Sequence, residues 1–341
     1  MKTLSAVKKF WIPALLMLLL AGCKSPHEGS HPTANQETAS IRAIVAEETA
    51  KAMRSLRPQR MVVIVSEPFS GRLEAISSGR AGSAEARSDL QECHFEPASI
   101  FKPFIVAAAL ESGNTKENSP IDCGNGFFTI DGKEVKDHSA FGRLTPAEVL
   151  SKSSNIGSVK LALSLDDPAF KKALRNFGFE EKNASAKADI AVGQSIEVSP
   201  LELAMAYGAL ANGGKLMKPI GMDDKPIVIR RACSAQTAQI VKEALRIIPE
   251  TSSATLISPR FEAGGKAGTS VSRTASNSNP AEARWALFAG MFPIDKPRHV
   301  CVVAIENANI EPEKNYGGLV AGTVFATIAK GISMNAGTTH H

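Results

Sequence analysis

The chain has 341 residues, 43% of them hydrophobic and 21% charged, which is the composition of a soluble globular protein with one large domain or two moderate ones. Its formal charge of +5 includes Lys2, Lys8 and Lys9 at the N-terminus. No basic run with interleaved aromatics is present, so nucleic acid is not an expected partner.

Lys2, Lys8 and Lys9 form a positive n-region, and Phe10 to Leu20 is apolar apart from Pro13. That stretch falls short of the ~20 residues needed to span a bilayer. It ends in Leu20-Ala21-Gly22-Cys23, small residues before a cysteine, which matches the bacterial lipoprotein cleavage pattern. Residues 1–22 therefore read as a lipoprotein signal peptide and 23–40 as a lipidated tether. Residues 41–334 read as one folded domain and 335–341 as a tail. Acyl chains on Cys23 would hold the protein on a bacterial membrane, outside the cytoplasm, with either membrane open. Cys93, Cys123, Cys233 and Cys301 have no framework spacing and read as buried free thiols. No cysteine pair or histidine cluster has metal-ligand spacing, so neither a metal nor another cofactor is expected.

Apolar residues at helical spacing predict a helix over 41–56, ending before Pro58. Two strands follow, Met61 to Val65 and Arg72 to Ile76, joined by a turn at 66–71. Residues 79–90 are small and polar and read as a loop. A helix is expected to start near Pro97 or Ser99, and Asn125-Gly126 and Asp131-Gly132 mark turns. Thr145-Pro146-Ala147-Glu148 and Ser199-Pro200-Leu201-Glu202 both carry the capping-box pattern with proline at the first helical position. The first of these helices has a break near 151–155, and further helices are expected over 167–177 and 234–248. Strands are expected over 264–272, 285–292 and 299–305, and an apolar helix over 320–332. Two early strands, a helical middle and three late strands predict an α+β fold. Its antiparallel sheet is assembled from both ends of the domain and flanked by helices, with a helical subdomain inserted.

The chemistry centres on Glu96-Pro97-Ala98-Ser99-Ile100-Phe101-Lys102-Pro103-Phe104. Ser99 and Lys102 are three apart on one helical face. A serine hydroxyl is a weak nucleophile until a base sits beside it, and an amine shielded from water can be that base. The helix N-terminus adds positive potential where an oxyanion would form. Alone the pattern is common, and Ser5-Ala6-Val7-Lys8 repeats it in the leader. Two further patterns follow in order, Ser153-Ser154-Asn155 at the helix break and Lys266-Ala267-Gly268-Thr269 at the start of the late strands. Together the three form the signature set of penicillin-binding proteins and serine β-lactamases.

From about Ile41 to Ile332 the chain resembles the transpeptidase domain of class B penicillin-binding proteins. The resemblance extends beyond the three motifs to Glu67 to Gly71, Asp137 to Gly142, Val192-Gly193-Gln194, Ser199 to Ala204, Ala211 to Gly214 and Phe288 to Pro293. It implies the penicillin-binding transpeptidase and β-lactamase-like fold. It also implies peptidoglycan stem peptides and β-lactams as binding partners, and assigns roles. Ser99 would attack the carbonyl of a terminal D-Ala-D-Ala and Lys102, in its neutral form, would take the proton. Ser153 would relay a proton to the departing D-alanine, and Asn155 would hold Lys102 and the substrate amide. Lys266 would face the substrate carboxylate and disfavour charge on Lys102. The backbone N–H groups of Ser99 and Thr269, beside Gly268, would form the oxyanion hole, and the Thr269 hydroxyl would bind the carboxylate. His138 reads as a structural hydrogen-bonder.

The sequence departs from the family in two places. Ala267 stands where the family usually has Thr or Ser, a loss of about 1.5–3 kcal/mol if that hydroxyl meets a carboxylate. Ser270 is a possible substitute donor. The large pedestal that usually precedes the domain has no counterpart between Cys23 and Met61. The expected activity is a serine D,D-transpeptidase. The alternatives are a D,D-carboxypeptidase or class D-like β-lactamase using water, or a weakly active or inactive penicillin-binding sensor or scaffold. Ser153-Ser154-Asn155 in place of Ser-x-Val speaks against the class D form.

Overall fold

A computed structural model describes residues 34–80, 93–180, 185–246, 262–273, 282–311 and 314–337. The leader, Cys23 and most of the expected loop over 79–90 lie outside the described residues. Among the described residues no helix is long and apolar enough to cross a membrane.

The expected sheet is present, with strand order β2-β1-β11-β10-β9 and antiparallel neighbours throughout. Its strands are β1 (Arg60–Glu67), β2 (Arg72–Arg80), β9 (Gly264–Arg273), β10 (Glu282–Phe292) and β11 (His299–Glu306). Both ends of the domain meet at the β1–β11 pairing, where Ile64 stands opposite Val302 and Val63 opposite Val303. Side chains alternate across a strand, so each strand feeds two cores. Val62, Ile64, Leu287, Ala289, Val302 and Ala304 face the helical insert. Met61, Val63, Val65, Phe288, Val303 and Ile305 face a second layer made of the first and last helices. This explains why β1 and β11 read as continuous apolar runs: both faces are covered.

The back layer is α1 (Ala34–Leu56) and α9 (Ala321–Gly337). Helix α1 starts inside the stretch that composition assigned to the tether. Tertiary contacts override composition there: Thr38 is buried, Glu37 pairs with Arg298 at 2.8 Å, and Asn335 donates to the Ser40 hydroxyl at 2.6 Å.

The insert contains α2 (Lys102–Glu111), α3 (Pro146–Ser151), α4 (Asn155–Leu163), α5 (Asp167–Asn176), α6 (Lys187–Ala191), α7 (Pro200–Ala211) and α8 (Ala235–Ala244). Thr145 and Ser199 both form complete capping boxes. Short strand pairs flank these helices: β3 (Ile121–Gly124) with β6 (Gly142–Leu144), β4 (Phe127–Ile130) with β5 (Lys133–Lys136), and β7 (Lys215–Met217) with β8 (Val228–Arg231). Each runs four residues or fewer, too short for alternation to announce it. Buried Phe101, Phe104, Phe177, Phe179 and Tyr207 pack as an aromatic cluster under α2, with ring centroids 4.9–5.6 Å apart.

Candidate active site

Ser99 lies in a single 3-10 turn, Ala98–Phe101, that runs directly into α2. Proline explains the tighter turn. In α geometry the Ser99 carbonyl would receive the N–H of residue 103, but Pro103 has none. The Lys102 backbone N–H donates to that carbonyl instead. Residues three apart eclipse in a 3-10 turn, which places Ser99 and Lys102 on one side.

The turn is held under strain. Ala98 has φ +48, and its N–H donates to the Gly193 carbonyl at 2.9 Å. A Cβ on Gly193 would lie 2.1 Å from the Ala98 oxygen, so this approach requires glycine. Glu96 accepts from the Ser195 N–H at 2.8 Å, and Phe95 and Val198 exchange backbone bonds. From beneath, the buried Tyr207 hydroxyl donates to the Ile100 carbonyl at 2.8 Å.

Lys102 is fully buried. Its Nζ lies 2.7 Å from the Ser153 carbonyl, 2.6 Å from Asn155 Oδ1 and 3.2 Å from Ser153 Oγ. Burial holds this amine well below the usual lysine range, the charge of Lys266 lowers it further, and Asp137 opposes both. The Ser153 carbonyl and Asn155 Oδ1 can only accept, so the amine donates to both, and Ser153 Oγ is its third and longest contact. Ser153 reaches this position with φ +55, a second strained residue in the site.

Asn155 bridges outward, donating through Nδ2 to the Lys136 carbonyl at 2.8 Å. Ser154 caps α4 and accepts from the Gly157 N–H at 2.9 Å. A groove of about 490 Å³ opens beside Asn155, between the β4–β5 hairpin and residues 186–194.

Strand β9 forms the opposite wall, at the sheet edge, where backbone groups on its outer side have no strand partner. Gly268 passes against the Ser99 turn: a Cβ there would lie 3.0 Å from the Pro97 oxygen and 3.2 Å from the Ile100 nitrogen. Lys266 is half-buried, and burial pushes its amine down to about 8. Ala267 faces the back layer and packs on its apolar cluster. Thr269, on the same face by alternation, accepts from the Gly317 N–H at 3.0 Å, which leaves its own O–H available to donate.

Ser99, Lys102, Ser153, Asn155, Lys266, Gly268 and Thr269 thus converge on one edge of the sheet. The Ser99 hydroxyl has no hydrogen bond to Lys102 among the described residues; the amine is held by the Ser153–Asn155 turn instead. His138 is exposed and meets Phe141 edge-on rather than serving as a hydrogen-bonder, and His94 is exposed. The four described cysteines are buried free thiols, and burial raises Cys233 to about 12. Among the described residues no group of side chains could hold a metal. Asp137 is the residue that sequence reasoning missed. It accepts from Ser154 and from the first N–H groups of α4.

Residues 38–330 match the penicillin binding protein transpeptidase domain. The chain belongs to that family. A relative in Pseudomonas aeruginosa, named a probable peptidoglycan D,D-transpeptidase PbpC, is 30% identical over 88% of this chain. The chain spans 59% of that relative's length. The Neisseria flavescens PenA protein, named likewise, is 26% identical over 85% of this chain and 79% of its own. The solved transpeptidase domain of Burkholderia pseudomallei penicillin-binding protein 3 superposes with a TM-score of 0.72 at 25% identity, covering 90% of this chain and 98% of that domain. In this transpeptidase domain the three motifs stand at two walls, the Ser153–Asn155 turn and β9, with the Ser99 turn between them.

Proposed function

We propose that this transpeptidase domain is a serine acyl-transferase acting on peptidoglycan stem peptides, a D,D-transpeptidase. The observation that carries the reading is the buried Lys102 amine, held between Ser153 and Asn155 on the side where Ser99 emerges, with burial keeping it well below the usual lysine range.

Ser99 Oγ attacks the carbonyl of the penultimate D-alanine as its proton passes to the Lys102 amine. Negative charge develops on the carbonyl oxygen, facing the backbone N–H groups of Ser99 and Thr269 beside the start of α2. The C–N bond then breaks. The departing D-alanine nitrogen takes up the proton through the Ser153 hydroxyl, leaving an ester on Ser99 and a neutral Lys102. An acceptor amine reverses these steps: it loses its proton through Ser153 and Lys102, attacks the ester and restores the Ser99 hydroxyl. Lys266 and the Thr269 hydroxyl hold the terminal carboxylate, while Asn155 meets the donor amide at the mouth of the groove. A penicillin presents a carboxylate and a strained amide in a similar arrangement, and its opened ring stays tethered to the acyl-enzyme. All of this uses side chains and backbone alone, with no cofactor. Lipidation of Cys23 would keep the domain at a bacterial membrane, facing the cell wall.

A fluorescent penicillin tests the reading. Wild type is expected to label covalently and Ser99→Ala to show no label while melting at an unchanged temperature. An unlabelled, folded wild type overturns it. Supplying a peptide donor with a D-amino-acid acceptor then reads the second half-reaction. Exchange product supports transfer, whereas hydrolysis alone identifies a carboxypeptidase, and rapid turnover of a chromogenic cephalosporin a β-lactamase.

A further inference from the structure

Asp137 belongs to none of the three motifs, yet its carboxylate lies directly beneath one of them. Oδ2 accepts from the Ser154 hydroxyl at 2.6 Å, and Oδ1 accepts from the backbone N–H groups of Asn155 at 2.5 Å and Ile156 at 3.2 Å. The Asn155 and Ile156 donors are among the orphan N–H groups that open α4, where negative charge is favoured. The chain must pass through Ser153 at φ +55 just before this point, a conformation that persists only if neighbours enforce it. Asp137 clamps the residues immediately after the strained one. It thereby fixes both the Ser153 carbonyl and Asn155 Oδ1, the two oxygens that receive the Lys102 amine.

Charge gives the same residue a second effect. Among the described residues two ionisable groups act on Lys102: Lys266 from β9, which disfavours its protonation, and Asp137 from the β5–β6 connection, which favours it. The Ser153 and Asn155 side chains that touch the amine are uncharged, and its neighbours on α2 are apolar. The nearby Cys123 thiol of β3 is kept protonated by burial and by Asp137 itself, so it adds no charge.

We propose that Asp137 is a positioning residue whose carboxylate holds the Ser153–Asn155 turn in register with the Lys102 amine and places a negative charge beside that turn. The proposal rests on the acyl-transfer reading above and concerns how that site is regulated by pH. Lys102 acts neutral, so acylation falls as the pH drops through its titration. Removing the negative charge of Asp137 makes protonation harder and moves that acid limb to lower pH.

The experiment measures the second-order rate of acylation by a fluorescent penicillin across pH for wild type, Asp137→Asn and Asp137→Glu, with melting temperatures alongside. Asp137→Asn is expected to slow acylation and shift the acid limb to lower pH. A uniform loss at every pH, with the limb unmoved, would mean a merely structural role and overturns the proposal. Asp137→Glu keeps the charge but displaces the carboxylate by one methylene, so a slower rate with the limb in place is expected. A wild-type rate in that variant overturns the positioning role, and it does so even where Asp137→Asn proves too unstable to assay. Failure of the acyl-transfer reading is separately visible, because wild type itself would then take no label.

Discussion

Two lysines stand on either side of the Ser99 turn, and the walls that hold them are built differently. Lys102 lies in the insert, fully buried, with its amine hydrogen-bonded to Ser153 and Asn155 and that turn clamped in turn by Asp137. Lys266 lies on the edge strand, half-buried, beside a glycine and an alanine. Burial depresses both amines, but Lys102 well below the usual range and Lys266 to about 8. The deeper burial of Lys102 favours its uncharged, basic form, while Lys266 is a cation below about 8. One residue type fills two roles because the environments separate their titrations.

The largest test of this contrast is Lys102→Met, which preserves length and apolar stem while removing the amine. General-base catalysis is worth about a hundred- to ten-thousand-fold. Penicillin acylation is expected to fall by about a thousand-fold or more across the whole pH range. A loss below about ten-fold would end the assignment of Lys102 as base.

Lys266→Gln tests the other wall and is expected to be milder. A hydrogen bond to a charged group is worth about 1.5–3 kcal/mol, so the second-order acylation constant should fall about ten- to 150-fold. The pH signs follow from the two titrations. Lys266 grips a carboxylate while protonated, so wild-type capture declines as the pH rises through about 8. The Gln variant lacks this alkaline limb. Because Lys266 also lowers Lys102, its removal moves the acid limb to higher pH, opposite to the shift expected of Asp137→Asn. A variant profile with both limbs in their wild-type places would show that the two lysines do not communicate.

The two walls also differed in how far the sequence disclosed them. Ser99 and Lys102 are legible because the chemistry needs them on one local turn, and Ser153, Asn155 and Lys266 because each begins or breaks an element with its own signal. The sheet was legible too, since β1 and β11 are continuous apolar runs with both faces covered. Asp137 was hidden because it caps α4 from a distant loop, and no spacing rule connects a capping group so far from its helix. The 3-10 form of the Ser99 turn follows from the missing Pro103 N–H, a consequence that helix-start patterns do not distinguish from an ordinary first turn. The early start of α1 was invisible for a different reason: its first turns are polar and are held by Arg298 and Asn335 from the far end of the chain.

The smallest expected effect concerns Ala267, where the family resemblance points to a missing hydroxyl. Its methyl packs on the back-layer cluster that includes Phe288, the residue opposite it on β10. Thr269 lies two residues further along on the same face, with its O–H free to donate because the Gly317 N–H occupies an acceptor position. In Ala267→Thr the new methyl can keep the apolar contact while the hydroxyl joins Thr269 at the half-exposed rim of the strand. Solvent exposure places the gain below the range for charged hydrogen bonds, at about 1 kcal/mol or about five-fold in the acylation constant. The melting temperature should change little. A faster acylation with an unmoved pH profile would show that β9 holds the carboxylate and leaves the base wall untouched, whereas an unchanged constant would mean that Lys266 and Thr269 already complete that grip.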